Sequence, residues 1–162
     1  MNRRHLFACL SPWTLAALSD KASAASTPLA APGESALPVT DAQWRARLNP
    51  QQYEVLRRQS TERPFSSALN QEKRPGTYQC AGCQAPLFTS AMKYDSGTGW
   101  PSFHSALPGV LDTRADFKSV YPRIEYHCRH CDGHQGHVFN DGPPPSGKRY
   151  CNNGVALRFV PA

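Results

Sequence analysis

Two pairs of cysteines with CxxC spacing place the strongest restriction on how this chain can fold. Cys80 and Cys83 form the first pair, and Cys128 and Cys131 form the second pair, which begins after 44 intervening residues. Each CxxC turn can present two sulfur atoms to one ion, and structural zinc is held tetrahedrally by four such ligands. We therefore predict that a structural Zn²⁺ joins the two turns. Two disulfides, or a redox-active pair, are the alternatives for the same residues.

The size and charge of the chain limit the classes of protein to which it can belong. A length of 162 residues suits one modest domain. The net charge is +6 at pH 7, and it falls to +4 without residues 1–24, which carry three basic side chains and one acidic side chain. The basic residues are scattered, so charge alone does not indicate a nucleic-acid partner. We expect a monomer that binds no nucleic acid.

Residues 1–24 have the three parts of an export signal. Arg3 and Arg4 precede a short apolar run over residues 6–18, and the segment closes on Ala22-Ser23-Ala24. The paired arginines favour the twin-arginine route, and the apolar run is too short to span a membrane as a helix. We predict cleavage after Ala24 and a soluble periplasmic product. An ordinary disordered amino terminus is the alternative.

The segment that follows has the composition of a linker. Residues 25–38 are mostly Ala, Pro, Ser, Thr and Gly, which cannot bury enough apolar surface to become ordered. We therefore predict a flexible linker over 25–38 and a folded domain over 39–162.

Two short helices are predicted at the start of this domain. Thr40 and Gln43 fit a capping box, which predicts a helix as far as Leu48. Asn49-Pro50 fits an N-cap followed by a first-turn proline, which predicts a second helix that ends near Gln59. The residues expected on the buried side are Trp44, Leu48, Tyr53 and Leu56.

Beyond Glu62 the sequence favours short strands. Proline and glycine separate brief apolar segments, as in antiparallel β domains. We predict a mainly β fold with antiparallel, barrel-like sheets behind the amino-terminal helices. The expected strands cover residues 76–80, 86–88, 120–121, 123–127, 136–139 and 155–159.

Cys151 is the predicted nucleophile. It is the cysteine that remains when the two CxxC pairs and Cys9, which lies in the export signal, are set aside. In an extended strand alternate side chains share a face, so Arg149, Cys151 and Asn153 would project together. A nearby cation lowers the pKa of a thiol, and the thiolate is the reactive form. An inert buried thiol is the alternative.

A reactive Cys151 needs a proton donor and a surface that holds the substrate. His134 and His137 can exchange protons near neutral pH, and Trp100 offers an apolar surface. Either histidine could instead be an ordinary polar residue or a zinc ligand, and Trp100 could belong to the core.

Taken together, several stretches resemble the B-type methionine sulfoxide reductases. The resemblance extends over about residues 42–160, with the stretches in the same order. They are TERPF at 61–65, CAGC at 80–83, PLF at 86–88, KYDSGTGWPSF at 93–103, RIE at 123–125, GHQGHVFNDGP at 133–143 and RYCNN at 149–153.

The resemblance implies a fold, a metal and a reaction. It implies a mostly antiparallel β fold with amino-terminal helices, a structural zinc on the four paired cysteines, and reduction of the R epimer of methionine sulfoxide. Cys151 would attack the sulfoxide and become a sulfenic acid, which a second thiol must reduce. Trp100 would receive the methyl group of the substrate.

The same resemblance implies roles for five further residues. His134, His137 and Asn153 would surround and polarise the sulfoxide oxygen. Asp141 would support the histidine region, and Arg149 would hold the thiolate.

The sequence departs from the family at several positions. Thr98 stands where many members carry a second cysteine, so we expect an external thiol, thioredoxin-like or small, to reduce the sulfenic acid directly. Gln135 replaces the usual leucine, and Asn152 and Gly154 also replace more usual residues. By strand alternation Asn152 should point away from Arg149 and into the core.

Two other functional classes can be compared with this interpretation. A zinc-stapled module that binds a protein or a nucleic acid without catalysis is the main rival, supported by the changed residues Gln135 and Asn152. A metallohydrolase would need an open zinc position, and four cysteine ligands leave none.

Overall fold

The computed structural model describes Leu37 and residues 40–162 of the chain. The predicted export signal and its cleavage site, residues 1–24, lie outside the described residues, and so does the predicted linker, residues 25–38, apart from Leu37. No helix in the described part of the chain is long and apolar enough to cross a membrane.

The two helices form where the capping signals predict them. Helix α1 covers Asp41–Arg47 and helix α2 covers Pro50–Arg58. Thr40 and Asn49 are the N-caps, and each forms a reciprocal capping box with the glutamine three residues later, which satisfies amide groups that the first turn leaves free. The predicted buried residues are confirmed, and these are Trp44, Leu48, Tyr53 and Leu56.

Among the described residues, nine strands form two antiparallel sheets, which confirms the mainly β prediction. A three-stranded sheet has the order β2-β1-β9, and a six-stranded sheet has the order β3-β4-β8-β7-β6-β5. The strands are β1 Gly76–Cys80, β2 Pro86–Thr89, β3 Lys93–Tyr94, β4 Ser102–Phe103, β5 Leu111–Asp116, β6 Arg123–Cys128, β7 His134–Phe139, β8 Arg149–Asn152 and β9 Leu157–Pro161.

The strand pattern differs from the prediction at several places, and the two-residue strands β3 and β4 were not predicted. The predicted strand at 120–121 is wrong, because Val120 and Tyr121 lie in the loop between β5 and β6 and are 90% and 78% exposed. The predicted strand at 155–159 begins later, since Gly154–Ala156 forms a 3₁₀ turn before β9. Strand β5 was missed because its side chains are largely exposed and give no apolar alternation.

Aromatic side chains pack the two sheets against each other. Phe88 of β2 stacks on Phe103 of β4, with ring centroids 4.1 Å apart and planes 8° apart. Tyr78 of β1 meets Phe103 edge-on at 5.0 Å, and Tyr126 of β6 meets Tyr150 of β8 edge-on at 5.3 Å. These contacts are the favoured geometries for aromatic pairs. They fix β4 and β8, the strands on which the candidate site is built.

Candidate active site

A row of polar side chains crosses the six-stranded sheet and includes Cys151. In antiparallel strands, directly opposed residues lie on the same face with Cβ atoms about 4.5–5.5 Å apart. Cys151 of β8 is opposed by Ser102 on one side and by His137 on the other. Across the sheet, the row runs through Tyr94, Ser102, Cys151, His137, Glu125 and Arg114.

A β-bulge in β7 brings the second histidine to the same side. In a regular strand, residues three apart point to opposite faces. The register between β6 and β7 shifts at Gln135, because Gly136 opposes Tyr126 whereas His134 opposes the next residue, His127. A bulge of this kind redirects the side chains beyond it. As a result, the His134 ring lies 5.5 Å from the His137 ring.

Each histidine donates a hydrogen bond to a buried carboxylate. His134 donates from Nδ1 to Glu125 Oε1 at 2.7 Å, and His137 donates from Nε2 to Asp116 Oδ2 at 2.7 Å. Arg114 donates two hydrogen bonds to Glu125, at 2.7 and 3.0 Å, and Arg123 donates one to Asp116 at 2.8 Å. These contacts orient both rings in the way that carboxylates orient catalytic imidazoles.

The carboxylates are ionised by their surroundings. Burial alone would raise the pKa of Glu125, but His134 and Arg114 outweigh burial and lower this pKa to about 2. The backbone N–H of Lys118, followed by His137 and Arg123, holds the pKa of Asp116 well below its usual value. Burial lowers the pKa of His137, and Asp116 partly opposes that shift. In the free protein His137 is therefore mainly neutral at pH 7.

Asp141 was predicted to support the histidine region, and in the structure its carboxylate pairs with Arg149. Its carboxylate accepts two hydrogen bonds from Arg149, from Nε at 2.9 Å and from Nη2 at 2.8 Å. The same guanidinium lies over the Phe139 ring at 4.3 Å. A bidentate pair of this kind fixes the orientation of the guanidinium. Asp141 therefore orients Arg149, and Glu125 and Asp116 support the histidines.

The pKa of the Cys151 thiol is raised, whereas the sequence predicted that a nearby cation would lower it. Burial raises the pKa of the Cys151 thiol, whereas Arg149 and the hydroxyl of Thr98 oppose that shift with hydrogen bonds. The guanidinium acts in the predicted direction, but burial outweighs it. The thiol is therefore mostly protonated at neutral pH before substrate binds.

A cavity of about 110 Å³ opens beside Cys151. Trp100, His137, Phe139 and Asn153 are among the residues that line it, and we call it the Trp100 pocket. Pockets for drug-sized ligands have volumes of about 300–1,000 Å³. The Trp100 pocket therefore suits the end of one side chain. His134 does not line this pocket; it is 1% exposed, and its Nε2 has no hydrogen-bond partner among the described residues.

Glu62 connects the walls of the Trp100 pocket, and the sequence reasoning missed it. The backbone oxygen of Glu62 accepts a hydrogen bond from Trp100 Nε1 at 3.1 Å, and its backbone N–H donates to Asn153 Oδ1 at 3.0 Å. Its carboxylate accepts from the N–H groups of Gly154 and Val155 at 2.6 and 2.9 Å. The feature that identifies Glu62 is a buried carboxylate next to a pocket, and only the structure shows it.

Asn153 lines the Trp100 pocket, but strand alternation does not place it there. Strand β8 ends at Asn152, so the expected face shared by alternate residues does not extend to Asn153. Its Nδ2 also donates to the backbone oxygen of Gln135 at 3.0 Å. The side-chain amide is therefore held by the backbone on two sides.

The four paired cysteines converge, as the CxxC spacing predicts. Their Sγ atoms all lie within 4.8 Å of one another, with Cys80 and Cys131 at 3.6 Å and Cys83 and Cys128 at 3.5 Å. All four are free thiols without a disulfide. A tetrahedral zinc with Zn–S bonds of about 2.3 Å requires sulfur atoms about 3.8 Å apart. The donor set and its spacing therefore fit a four-sulfur metal site.

Comparison with known proteins decides the family. The SelR domain matches residues 48–161. The chain is 52% identical over 125 residues to the peptide methionine sulfoxide reductase MsrB of Thiobacillus denitrificans, a match that covers 76% of this chain and 95% of that protein. The chain belongs to the B-type methionine sulfoxide reductase family. It is also 48% identical over 121 residues to the MsrB protein of Leptospira interrogans, covering 74% and 92% of the two chains. Over 122 residues it is 44% identical to the chloroplastic peptide methionine sulfoxide reductase B1 of Arabidopsis thaliana, covering 75% and 60%.

Within this B-type reductase, the amide side chains of Gln135 and Asn152 form a buried network. Both are fully buried, as predicted for Asn152. Gln135 Nε2 donates to Cys80 Sγ at 3.3 Å, and its Oε1 accepts from Asn152 Nδ2 at 3.4 Å. The hydroxyl of Tyr126 donates to Asn152 Oδ1 at 2.7 Å. Buried amides are costly without partners, and here each amide stabilises the other.

Proposed function

We propose that this protein reduces the R epimer of methionine sulfoxide to methionine, with Cys151 as the nucleophile. The observation that carries the proposal is the position of Cys151, which faces His137 across β7 and β8 and lines a small pocket with Trp100. Membership of the B-type family supports the same reaction and the same epimer.

The proposed first step transfers oxygen from one sulfur atom to another. The Cys151 sulfur attacks the sulfur of the sulfoxide and forms a sulfur–sulfur bond. The oxygen then moves to the Cys151 sulfur as the substrate's sulfur–oxygen bond and the new sulfur–sulfur bond break, which leaves Cys151 as a sulfenic acid. The substrate sulfur gains two electrons and leaves as the thioether of methionine, while the Cys151 sulfur loses two electrons. The thiol proton ends on the transferred oxygen, so atoms and charge balance.

The histidines are proposed to move this proton. Because burial keeps the Cys151 thiol protonated, its proton must leave as the sulfur attacks. His137 lines the pocket and is held by Asp116 through Nε2, which leaves Nδ1 for proton transfer. Buried His134, whose ring lies 5.5 Å from the His137 ring and is oriented by Glu125, is proposed to support His137 in this transfer.

Three more residues are proposed to hold the reacting groups. Trp100 receives the methyl group of the sulfoxide, and Asn153 fixes the pocket wall that faces the oxygen. Arg149, oriented by Asp141, stabilises the thiolate as it forms. Cys80, Cys83, Cys128 and Cys131 would hold a structural Zn²⁺, which braces the loops around the sheet and takes no part in the reaction.

We propose that a thiol from outside the chain completes the cycle. In the described residues, Cys151 is the only cysteine outside the four-sulfur cluster. A thioredoxin-like protein or a small thiol is proposed to reduce the sulfenic acid.

The reaction can be tested with a peptide that contains both epimers of methionine sulfoxide. The protein and dithiothreitol are added, and the epimers are separated by chromatography while zinc content is recorded. We expect loss of the R epimer alone, and no loss with Cys151→Ser. Glu54→Gln, on the exposed side of α2, is the control that should retain full activity. Reduction by Cys151→Ser at the wild-type rate would refute the nucleophile, and reduction of neither epimer would favour a binding module.

We further propose that residues 1–24 export the protein to the periplasm by the twin-arginine route, and that it acts there as a monomer. Fusion of residues 1–24 to a reporter protein tests export. Replacement of Arg3 and Arg4 by lysine should retain the reporter in the cytoplasm, and light scattering of the cleaved protein measures its mass in solution.

A further inference from the structure

A second cavity lies on the other flank of Cys151. It has a volume of about 410 Å³, and we call it the rear cavity. It shares no lining residue with the Trp100 pocket. The lining residues that matter here are Tyr94, Asp95, Ser96, Thr98, Asp141 and Arg149.

The rear cavity lies next to the Cys151 sulfur. Thr98 and Arg149 line the cavity and lower the pKa of the Cys151 thiol. Ser96, another lining residue, hydrogen-bonds to Ser102, which lies directly opposite Cys151 across β4 and β8. In the polar row across the sheet, His137 lies on one side of Cys151, and Ser102 and then Tyr94 lie on the other. The Trp100 pocket includes His137, and the rear cavity includes Tyr94. The sulfur therefore lies between the two cavities.

This arrangement matches the geometry of the second half of the reaction. Displacement at a sulfur atom proceeds with the incoming group opposite the leaving group. After the first step, the oxygen on Cys151 lies on the side of the Trp100 pocket, where the sulfoxide was bound. A reducing thiol must then approach from the opposite side, which is the side of the rear cavity.

The charges of the rear cavity favour a cationic ligand. Asp141 is already paired with Arg149, whereas the carboxylate of Asp95 is exposed and accepts a hydrogen bond from the N–H of Gly97. Two carboxylates and one guanidinium leave one negative charge in excess. The buried hydroxyl of Tyr94 has no hydrogen-bond partner among the described residues. An unpaired polar group of this kind calls for an explanation, such as a ligand.

We propose that the rear cavity binds a low-molecular-weight thiol that carries an ammonium group, and that this thiol reduces the Cys151 sulfenic acid. The inference rests on the proposed function. The thiolate of the ligand attacks the Cys151 sulfur, the sulfur–oxygen bond breaks, and the oxygen leaves as water after it accepts a proton in the Trp100 pocket. A second molecule of the same thiol then attacks the mixed disulfide, which releases the Cys151 thiol and a small disulfide.

The test measures the second step alone, with thiols that differ in charge. The full chain with Cys9→Ser is converted to the sulfenic acid by one equivalent of methionine sulfoxide. It is then mixed with cysteamine, 2-mercaptoethanol or thioglycolate, and the remaining sulfenic acid is trapped with dimedone and counted by mass spectrometry. Each thiol is compared with itself in wild type, Asp95→Asn and Asp95→Arg, so differences in intrinsic nucleophilicity cancel.

We expect the rate constant for cysteamine to fall about two- to fivefold in Asp95→Asn, because an exposed ion pair contributes an energy of this size. The rate constant should fall further in Asp95→Arg. The rate constant for thioglycolate should rise in Asp95→Arg, and that for 2-mercaptoethanol should stay constant. Glu54→Gln removes a carboxylate from α2 and should change none of the three rate constants.

If the Asp95 substitutions changed the rate constants of all three thiols equally, the proposed site would be overturned. A sulfenic acid that reacts with a protein dithiol but with none of the small thiols would also overturn it. Failure of the proposed function is recognised separately, because methionine would then not form in the first step. One equivalent of hydrogen peroxide would still convert Cys151 to the sulfenic acid for the same comparison of thiols.

Discussion

Gln135 donates a hydrogen bond from Nε2 to the Sγ of Cys80 at a distance of 3.3 Å. Cys80 belongs to the four-sulfur cluster, whereas Gln135 forms the bulge that places His134 beside His137. One buried side chain therefore connects the predicted metal site to the strand that carries the histidines. Partners that hydrogen-bond to metal ligands orient those ligands and strengthen metal binding.

We predict that Gln135→Leu weakens metal retention. The substitution removes the donor to Cys80 and leaves the Asn152 amide without one of its partners. The loss of such a partner typically lowers metal affinity about tenfold or more. Zinc release to a chromogenic chelator should therefore be faster, whereas Gln51→Leu, an exposed change on α2, should release zinc at the wild-type rate. Unchanged release from Gln135→Leu would show that this hydrogen bond does not stabilise the cluster.

Alkylation of Cys151 should increase with pH beyond pH 9. Burial raises the pKa of this thiol above its ordinary value of 9.0, and only the thiolate reacts. Below the pKa the rate of iodoacetamide modification should rise about tenfold per pH unit, measured on the peptide that contains Cys151.

Arg149→Met should shift this profile to still higher pH, because the guanidinium lowers the pKa of Cys151. Arg158→Met, on the exposed side of β9, is the matched control and should leave the profile in place. A plateau of the wild-type rate below pH 8 would contradict the buried, neutral thiol.

Gly136→Ala should disrupt the pairing of β7 with β8. A Cβ atom at Gly136 would lie 1.9 Å from the backbone oxygen of Cys151, so the strands would have to separate. Forced overpacking of this kind costs about 1–3 kcal/mol, and we expect a lower melting temperature together with reduced activity. Gly82→Ala adds a Cβ whose nearest neighbour is 3.5 Å away, and it should change the melting temperature much less.

Glu125 should contribute stability that is lost in acid. Its pKa is about 2 in the folded protein, compared with 4.5 for the ordinary carboxyl group. The unfolded chain therefore binds the proton more readily, so this contribution is complete above pH 4.5 and falls as the pH approaches 2.

Urea unfolding between pH 6 and pH 3 measures this dependence. Glu125→Gln should be less stable than wild type at pH 6, and the difference between the two proteins should shrink as the pH falls. Glu54→Gln should remain close to wild type across the range. If the difference in unfolding free energy between Glu125→Gln and wild type grew as the pH fell, the explanation would be rejected.

A single turnover without added thiol should leave Cys151 as a sulfenic acid. In the described residues, every other cysteine belongs to the four-sulfur cluster, and Thr98 occupies the loop next to the Cys151 thiol. We expect intact-mass spectrometry to show the addition of one oxygen atom, and dimedone to trap it. The full chain with Cys9→Ser is the control for a disulfide with Cys9. An intramolecular disulfide in that variant would exclude the one-cysteine cycle.

Features that depend on neighbours in the chain could be predicted from the sequence. The capping box at Thr40, the N-cap at Asn49 and the two members of each CxxC pair depend on residues only a few positions apart, so spacing alone specifies them. The buried position of Asn152 followed from strand alternation in the same way. The matching stretches also indicated the family, which the SelR domain match confirms.

The pairing of side chains across the sheet was decided only by the tertiary structure. Asp141 was expected near the histidines, but the register of β7 and β8 places it against Arg149. The bulge at Gln135, the carboxylates that hold the histidines and the burial that raises the pKa of Cys151 also depend on strands distant in sequence. The sequence by itself determined which chemical groups this protein has, because local spacing encodes caps and metal-ligand turns. Tertiary structure decided which groups meet and how deeply they are buried, because register and desolvation arise only when distant strands pack together.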